Sequence, residues 1–434
     1  MPFFSQTTCH THLTNVQYFN RPMLAQAMKA RYQYRFYPTD QQQRSLAQLF
    51  GCVRVVWNDA LAVCKQSLKL PGYNKLSAML TQAKKTEARI WLSEVSSVPL
   101  QQSLRHLDTA YKNFFNSRNG KRKGGKVEPV TRAALPSEST GVGAPRFKKK
   151  TNSQSAEFTK AAFSVKDGEV YLAKIGTIKP IWSRELPSQA SSCTVIKDCA
   201  NSYFLSFVVE VEPEQIQAKD QSVGIDLGIK TFATMSNGEK IQAPNYSTLD
   251  RKIRKLQRKL ARQQSCSNRR NKTRLITAKL HNQVSDIRKD FLHKLSTKIV
   301  NDNQVIVLED LCVSGMVKNR KLARAISLQG WREFRNLCEA KSEKINRDFR
   351  VIDKWQPTSQ ICSCCGFRWG KIDLSVRSIL CLSCGTEQDR DGNAATNIEM
   401  VGMGHRHDLK RAGSDCKTVT EQRVTVNCQE SPTF

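Results

Sequence analysis

The sequence lacks the features that place a protein in a membrane or direct it out of the cell. No apolar run in its 434 residues approaches the roughly 20 residues that a transmembrane helix needs. The N-terminus has neither the basic region nor the apolar region of a signal peptide. We therefore expect no membrane partner and a cytoplasmic location.

Acidic residues are scarce in this chain. It has 38 Asp and Glu against 69 Lys and Arg, which gives a formal net charge of +31. This excess is far beyond what solubility requires, so it predicts a polyanionic partner, and nucleic acid is favoured over a membrane surface. Hydrophobic residues make up 39% of the chain, which is enough for a sizeable core and about two to four domains.

A disulfide framework is not expected, because the 15 cysteines are odd in number and scattered along a long chain. Four of them have the spacing of zinc ligands: Cys362 and Cys365, then, after 15 residues, Cys381 and Cys384. A glycine follows each pair, and such a turn lets two thiolates face one tetrahedral Zn²⁺. We expect one structural Zn²⁺; the alternative is four ordinary reduced thiols. Cys364 adjoins a ligand and could substitute for it.

Three acidic residues stand where strands end or a helix begins. Asp226 and Glu309 each close a short apolar run typical of a buried strand, and Asp391 precedes an alanine-containing stretch that predicts a helix start. Carboxylates brought together in this way suit two Mg²⁺ ions, because hard cations take oxygen ligands. In-line phosphodiester hydrolysis needs both the attacking and the leaving oxygen stabilised. Each acid alone is more simply a solvated residue at the end of an element; the ordered trio favours the metal site.

The segments around these residues resemble the successive motifs of the TnpB family, transposon-borne RNA-guided nucleases related to the type V CRISPR effectors. The motifs are specific in combination and weak singly, and the resemblance runs from about residue 28 to about residue 404. The segments that carry it are Tyr34-Arg35-Phe36-Tyr37-Pro38-Thr39, Gly143-Ala144-Pro145-Arg146-Phe147-Lys148-Lys149, Gly224-Ile225-Asp226-Leu227-Gly228, Leu308-Glu309-Asp310-Leu311, Gln329-Gly330-Trp331-Arg332-Glu333-Phe334, Pro357-Thr358-Ser359-Gln360-Ile361-Cys362-Ser363-Cys364-Cys365-Gly366 and Asp391-Gly392-Asn393-Ala394-Ala395.

The resemblance implies an α/β fold: an RNase H-like (RuvC-like) nuclease domain with an inserted zinc ribbon, plus a β-barrel wedge domain that carries a helical insertion. Helical periodicity supports the insertion, with seven predicted core positions: Trp57, Leu61, Leu100, Leu104, Leu107, Phe114 and Phe115. The expected boundaries are 28–50 and 144–215 for the wedge domain, 51–143 for the helical insertion with a basic loop, 216–355 and 386–404 for the nuclease domain, and 356–385 for the ribbon. Residues 1–27 are interpreted as a flexible arm or a misassigned start, and residues 405–434 as a flexible tail.

Two basic segments are candidate nucleic-acid contacts. Residues 118–150 hold ten Lys or Arg and two Glu, and include Arg146, Lys148 and Lys149. Residues 251–300 hold 16 Lys or Arg and two Asp, and predict a basic helical hairpin. A solvated helix face is the usual interpretation of such a run, but so large an excess of one sign would repel itself, which favours phosphate binding. The candidate hairpin contacts are Arg269, Arg270, Lys272 and Arg274.

The resemblance further implies a Mg²⁺-dependent endonuclease that cuts a DNA duplex chosen by base pairing with a guide RNA from its own locus. Asp226, Glu309 and Asp391 would be its catalytic carboxylates, and Asp391 is preferred to Asp389 because the family's acid stands immediately before x-Asn-Ala-Ala. Two alternatives remain open at this point. A transposase would also use three carboxylates, and an unguided DNA-binding accessory protein would keep the cysteines and the charge.

Overall fold

The computed structural model describes residues 28–119, 143–214, 216–373 and 375–405. Its internal contacts divide the chain into two compact units. The first unit comprises the described residues of Ala27–Val211 and Lys255–Lys279. The second comprises those of Glu212–Arg254 and Leu280–Phe434. Three of the predictions made above concern segments outside the described residues. These segments are residues 1–27, residues 405–434 except His405, and most of the basic loop.

The first unit contains two antiparallel sheets, three complete helices and, at residues 255–279, parts of two helices that continue into the second unit. Four strands pair in the order β1-β7-β6-β2 and three in the order β3-β4-β5, and a bridge between Phe36 and Pro180 joins the end of β1 to the chain that follows β5. The elements are β1 (Met28–Phe36), α1 (Asp40–Gln66), α2 (Tyr73–Ala83), α3 (Ser97–Arg118), β2 (Gln154–Thr159), β3 (Phe163–Lys166), β4 (Glu169–Leu172), β5 (Gly176–Ile178), β6 (Ser192–Lys197) and β7 (Tyr203–Val211). A closed barrel stays a prediction.

Helix α1 starts at a capping box. The Thr39 hydroxyl accepts from the Gln42 backbone N–H, and the Gln42 side chain accepts from the Thr39 N–H, which satisfies two backbone donors at the helix start. By length and composition, α1 is the single described helix that could cross a membrane. Half of its apolar window is buried in the core, including Leu49 and Leu61, so we interpret it as a core helix.

The core of the first unit contains residues from both the helices and the strands. Five of the seven predicted core positions are buried: Trp57, Leu61, Leu100, Leu104 and Leu107. The prediction was wrong for Phe115, which is 43% exposed. The ring of Phe115 stacks on that of buried Tyr111, with 6.3 Å between the ring centres. An aromatic residue near the end of a helix gives helical periodicity little to decide its face.

The second unit is built on a five-stranded mixed sheet in the order β10-β9-β8-β11-β12. Strands β8, β11 and β12 are parallel neighbours, and β9 and β10 continue antiparallel at one edge. The elements are β8 (Ser222–Leu227), β9 (Ala233–Met235), β10 (Lys240–Ile241), α4 (Ser247–Arg262), α5 (Asn268–Asp302), β11 (Val305–Glu309), α6 (Val313–Met316), α7 (Ala323–Gln329), α8 (Trp331–Lys344), β12 (Asp348–Ile352), β13 (Ser378–Leu380), β14 (Glu387–Asp389) and α9 (Arg390–Met403).

Strand β11 is apolar from Val305 to Leu308 because helices cover both faces of the sheet. Ile306 and Leu308 belong to a core shared with α5 and α8, whereas Val307 points to the opposite face and belongs to a second core with Ile398 of α9. This alternation is the period of two that a strand imposes on its side chains. The sheet therefore lies between helical layers, as expected for an α/β fold.

Two glycines let α9 approach the sheet closely. A Cβ on Gly224 of β8 would overlap the Ala395 carbonyl oxygen and the Glu399 backbone nitrogen. A Cβ on Gly402 of α9 would overlap the Val307 side chain. Helix α9 thus packs directly on β8 and β11, the two strands that end in predicted catalytic acids.

Candidate functional site

The three predicted acids lie on neighbouring elements of the second unit. Asp226 is near the end of β8, and Glu309 is the last residue of β11, the parallel strand beside it. The carboxyl ends of adjacent parallel strands meet at one edge of a sheet, which is where α/β proteins build their sites. Asp391 is in the first turn of α9, the helix held against β8.

The electrostatics show that the acids act on one another. Burial and, to a smaller extent, the negative charge of Asp391 together raise the pKa of Asp226 to about 7. Burial also raises the pKa of Glu309 to about 7, with the charges of Asp226, Asp310 and Asp353 acting in the same direction. Like charges gathered in a low-dielectric cleft oppose ionisation, and a bound cation would relieve that repulsion.

The three predicted carboxylates are spaced more widely than the ligands of a single metal ion. Within the described ranges, the four cysteines are the one group of three or more candidate ligands whose donor atoms all lie within 4.8 Å of one another. Two catalytic ions lie about 3.5–4 Å apart, so ligands of different ions need not be within reach of one another. The donor set, three carboxylates and no thiolate or imidazole, fits Mg²⁺.

The two acids at the start of α9 have different partners, which supports the choice of Asp391 over Asp389. Asp389 is the N-cap residue of α9: it accepts from the Gly392 backbone N–H at 2.9 Å and pairs with Lys240 at 2.9 Å. Asp391 pairs with Arg377, whose Nη1 lies 3.1 Å and 3.4 Å from the two carboxylate oxygens. Sequence reasoning missed Arg377, because it comes from the loop before β13 and no local pattern links it to Asp391.

The four predicted zinc ligands are brought together as expected. Cys362 Sγ lies 3.8 Å from Cys384 Sγ, and Cys365 Sγ lies 3.6 Å from Cys381 Sγ. Both pairs sit in turns that close on a glycine in the left-handed region, at 366 and 385, where a side chain would be strained. A hydrogen bond with Thr386 lowers the pKa of Cys384 to about 6. The cluster fits a tetrahedral structural Zn²⁺, and exposed Cys364 is outside it.

Two buried asparagines tie the cysteine cluster to α9. Asn397 donates to the carbonyl oxygens of Thr358 and Ile361 at 2.8 Å and 2.7 Å. Asn393 donates to the Ile361 carbonyl at 2.8 Å and accepts from the Ser363 backbone N–H at 2.7 Å. The backbone at the first cysteine pair is therefore fixed to the turns of α9 that follow Asp391. The positions of Asn393 and Asn397 in the sequence, shortly after the predicted acid, gave no sign of this structural role.

The predicted basic contacts of the hairpin differ in their surroundings. Arg269, Lys272 and Arg274 are exposed on α5. Arg270 is half-buried, and its guanidinium donates to the carbonyl oxygens of Leu260 and Gln263, so it holds the turn between α4 and α5. Arg270 therefore has a structural role that the prediction of a phosphate contact did not include.

The other three predicted contacts lie in the chain that leads to β2. Arg146 and Lys149 are exposed. Lys148 is half-buried, and its ammonium lies 4.3 Å from the centre of the Trp57 ring, where burial lowers its pKa. Arg274 lines a cavity of about 410 Å³ in the same unit, together with Arg54, Lys150 and Lys197. The first unit thus gathers basic side chains from several segments.

Three models of known protein families match segments of this chain. A model described as "Probable transposase" matches residues 206–320, one described as "Helix-turn-helix domain" matches residues 28–71, and one described as "Cas12f1-like, TNB domain" matches residues 331–398. The last range includes the cysteine cluster and Asp391, and the first includes Asp226 and Glu309. Residues 28–71 form a strand and one long helix here.

A relative from Streptomyces pristinaespiralis, described as "Putative RNA-guided DNA endonuclease", is 42% identical over 391 residues, which cover 88% of this chain and 91% of the relative. The chain belongs to the TnpB family. InsQ of Escherichia coli K12, which carries the same description, is 28% identical over 86% of this chain and 92% of its own length. Among solved structures, one titled "Cryo-EM structure of the Cas12f1-sgRNA-target DNA complex" aligns with a TM-score of 0.49 and 12% identity, over 86% of this TnpB chain and 99% of that chain.

Proposed function

We propose that this chain is an RNA-guided DNA endonuclease of a transposable element that acts in the cytoplasm. The observation that carries the proposal is the convergence of Asp226, Glu309 and Asp391 in a chain of the TnpB family. Their arrangement, on two parallel strand ends and a helix start, is the arrangement expected of a RuvC-like nuclease site. The similarity to its relatives covers nearly the whole chain, so the proposal concerns the whole activity.

The three carboxylates would hold two Mg²⁺ ions, which when bound supply a nucleophilic water and stabilise the leaving oxygen. The contribution of the protein is to fix the carboxylates before the substrate arrives. Asp226 and Glu309 are fixed by the register of β8 and β11, in which Ile225 pairs with Leu308. Asp391 is fixed by α9, whose first turn Asp389 caps. Arg377 holds both oxygens of Asp391 and so limits its rotation.

The proposed partners are a guide RNA from the locus of this protein and a target DNA duplex. Two polyanions agree with a net charge of +31 spread over separate basic segments, more than a single duplex contact requires. In this division of labour, base pairing selects the sequence and the protein supplies the phosphate contacts and the hydrolysis.

The catalytic assignment is tested by replacing each acid. Asp226→Ala, Glu309→Ala and Asp391→Ala are each expected to abolish Mg²⁺-dependent cleavage while leaving nucleic-acid affinity nearly unchanged, because binding depends on basic residues elsewhere. Asp310→Ala is the matched control, since Asp310 adjoins Glu309 but is exposed and paired with Arg335. Retained cleavage by the Asp226→Ala protein would overturn the assignment.

The requirement for RNA is tested with protein purified free of nucleic acid. Target DNA and Mg²⁺ alone should give no site-specific cleavage, and transcripts of the protein's own locus should restore it. Changing the guide segment of the transcript should move the cleavage position accordingly. Efficient site-specific cleavage without RNA would refute guiding and leave the nuclease assignment standing.

The match to the "Probable transposase" model supports a second candidate, a transposase. A transposase joins the cleaved strand to a new target, so the same reaction is followed with labelled donor and acceptor DNA. Joined product that depends on Asp226 would favour the transposase, whereas cleaved ends without joined product favour the endonuclease.

A further inference from the structure

An exposed tryptophan follows the strand that pairs with the strand of Glu309. Trp355 is 69% exposed, a large value for a residue type that is usually buried. It follows β12, whose last residue, Ile352, is the register partner of Glu309. Three residues of chain span at most about 10 Å and adjacent strands lie about 5 Å apart, so the Cα of Trp355 lies within about 15 Å of that of Glu309.

The backbone around Trp355 is held in a defined turn. The Trp355 backbone N–H donates to the Asp353 carboxylate at 2.8 Å, and the Gln356 N–H donates to the Asp353 carbonyl at 3.1 Å. At the same edge of the sheet, the Asp310 N–H donates to the Ile352 carbonyl at 3.0 Å. This turn is thus joined to the residue that follows Glu309, and it displays the indole at the edge of the candidate site.

The neighbouring charge suits a phosphodiester strand. The Lys354 ammonium lies 4.9 Å from the centre of the Trp355 ring, and the Lys354 side chain is itself exposed. Hydrogen bonds with Ser314 and the Gly315 backbone lower the pKa of Cys312, three residues after Glu309, and the charge of Lys354 acts in the same direction, which places Lys354 near that thiol. An aromatic face beside a cation is the combination with which proteins hold single-stranded nucleic acid, through base stacking and phosphate attraction.

We propose that Trp355 is a positioning residue: its indole stacks on an unpaired base of the DNA strand being cleaved, a few nucleotides from the scissile phosphate. This inference rests on the proposed nuclease function and deepens it. A base can stack on the exposed indole only after it has left its own duplex, so Trp355 would favour strands already opened by the guide. Its role is to fix the strand, and the hydrolysis belongs to the carboxylates.

The experiment uses the full chain with its RNA and target DNA carrying 2-aminopurine, a base whose fluorescence falls on stacking, at each nucleotide around the cleavage position. In an Asp226→Ala background, which prevents cleavage, the fluorescence should be low at one or two positions. Trp355→Ala should raise it there, and Trp355→Phe should keep it low. Tyr171→Ala, which removes an exposed aromatic side chain from the first unit, is the matched control and should change nothing.

Cleavage gives the second measurement. With Asp226 intact, Trp355→Ala should lower single-turnover cleavage about tenfold, as expected when one base loses its stacking partner, and Trp355→Phe should restore most of the rate. Unchanged fluorescence at every DNA position, a change seen only when 2-aminopurine is in the RNA, or an unaltered rate for Trp355→Ala would each overturn the inference. Cleavage by the unaltered chain in the same assay reports separately on the proposed function.

Discussion

At the scale of single residues, the ionised forms of Asp226 and Glu309 are destabilised in the metal-free protein. Burial and the neighbouring negative charges raise the pKa of both Asp226 and Glu309 to about 7. Ordinary carboxyl groups of these types ionise near pH 4. Between the two values the folded chain keeps protons that the unfolded chain has released, so these groups couple folding stability to pH.

The sign of that coupling gives a first prediction. Because the folded-state pKa values are raised, the stability contribution is fully present below about pH 4 and is lost as the pH rises through about 7. In buffer without Mg²⁺, the thermal unfolding midpoint should therefore fall between about pH 5 and about pH 8, and Asp226→Asn should flatten the fall. Thermal unfolding followed by circular dichroism across the pH range measures both.

The control for this prediction is Asp290→Asn, because Asp290 is exposed on α5, pairs with Lys294, and is not among the charges that act on Asp226 or Glu309. It should leave the pH dependence close to that of the unaltered chain. Mg²⁺ should raise the midpoint most at the high end of the range, where the carboxylates are ionised. An Asp226→Asn protein with the same pH dependence as the unaltered chain would contradict the assignment of the buried charge.

At the scale of elements, the site depends on how closely α9 lies against β8. Gly224 is two residues before Asp226, and α9 carries Asp391. The carbonyl of Ala395 occupies the space that a side chain at Gly224 would need. The distance between the two acids is thus set by a backbone-to-backbone contact, which an added methyl group would lengthen.

We predict that Gly224→Ala lowers stability by about 1–3 kcal/mol, the usual cost of overpacking, and lowers cleavage further than stability alone explains. The matched control is Gly51→Ala, because Gly51 lies within α1 and a Cβ there meets nothing within 4 Å. Alanine in a helix interior should stabilise that variant slightly. Urea unfolding and single-turnover cleavage measure the two effects, and equal behaviour of the two variants would contradict the prediction.

The cysteine cluster gives a matched pair of variants. Cys381→Ser should abolish stoichiometric zinc binding, because Cys381 is one of four converging thiolates, whereas Cys364→Ser should retain one Zn²⁺ per chain. Elemental analysis of freshly purified protein decides between them. Zinc in the Cys381→Ser protein, or its loss in the Cys364→Ser protein, would mean that Cys364 substitutes as a ligand.

The same variants test the link between the cluster and the nuclease site. Asn393 and Asn397 of α9 are hydrogen-bonded to the backbone at 358–363, so a disordered ribbon would free the start of α9. We expect cleavage by Cys381→Ser to fall with zinc loss, while Cys364→Ser keeps normal cleavage. Full activity in a zinc-free protein would show that α9 is held by the sheet alone.

Short sequence patterns predicted the features of this protein that depend on residues close together in the chain. Asp226 and Glu309 end apolar runs, and the cysteine pairs have ligand spacing, so each could be found within a few residues of sequence. Arg377 could not, since it reaches Asp391 from a loop 14 residues away, and the inward direction of Asn397 depends on how α9 packs. Phe115 was placed on the wrong face because the end of α3 offers no second apolar row to fix the helix orientation.

At the scale of the whole molecule, the large positive charge raises the question of whether phosphate binding is local or diffuse. The basic residues near the start of α5 offer a test because they differ in role. Arg269, Lys272 and Arg274 are exposed, whereas Arg270 is committed to backbone carbonyls in the turn before α5. In a local phosphate site, Arg269, Lys272 and Arg274 would contact phosphates. Arg270 would stabilise the turn that positions them.

Replacing Arg269, Lys272 and Arg274 with Gln should therefore flatten the dependence of log affinity on log salt by about one unit for each phosphate that is no longer neutralised. Fluorescence anisotropy over a salt series measures this with RNA and with DNA separately. The control with the same total charge change is Lys160, Lys166 and Lys174 replaced by Gln, all exposed elsewhere in the first unit. If both triple variants flatten the slope equally, binding follows the net charge of +31 and the α5 residues form a solvated face; if only the α5 variant does, these residues contact phosphates.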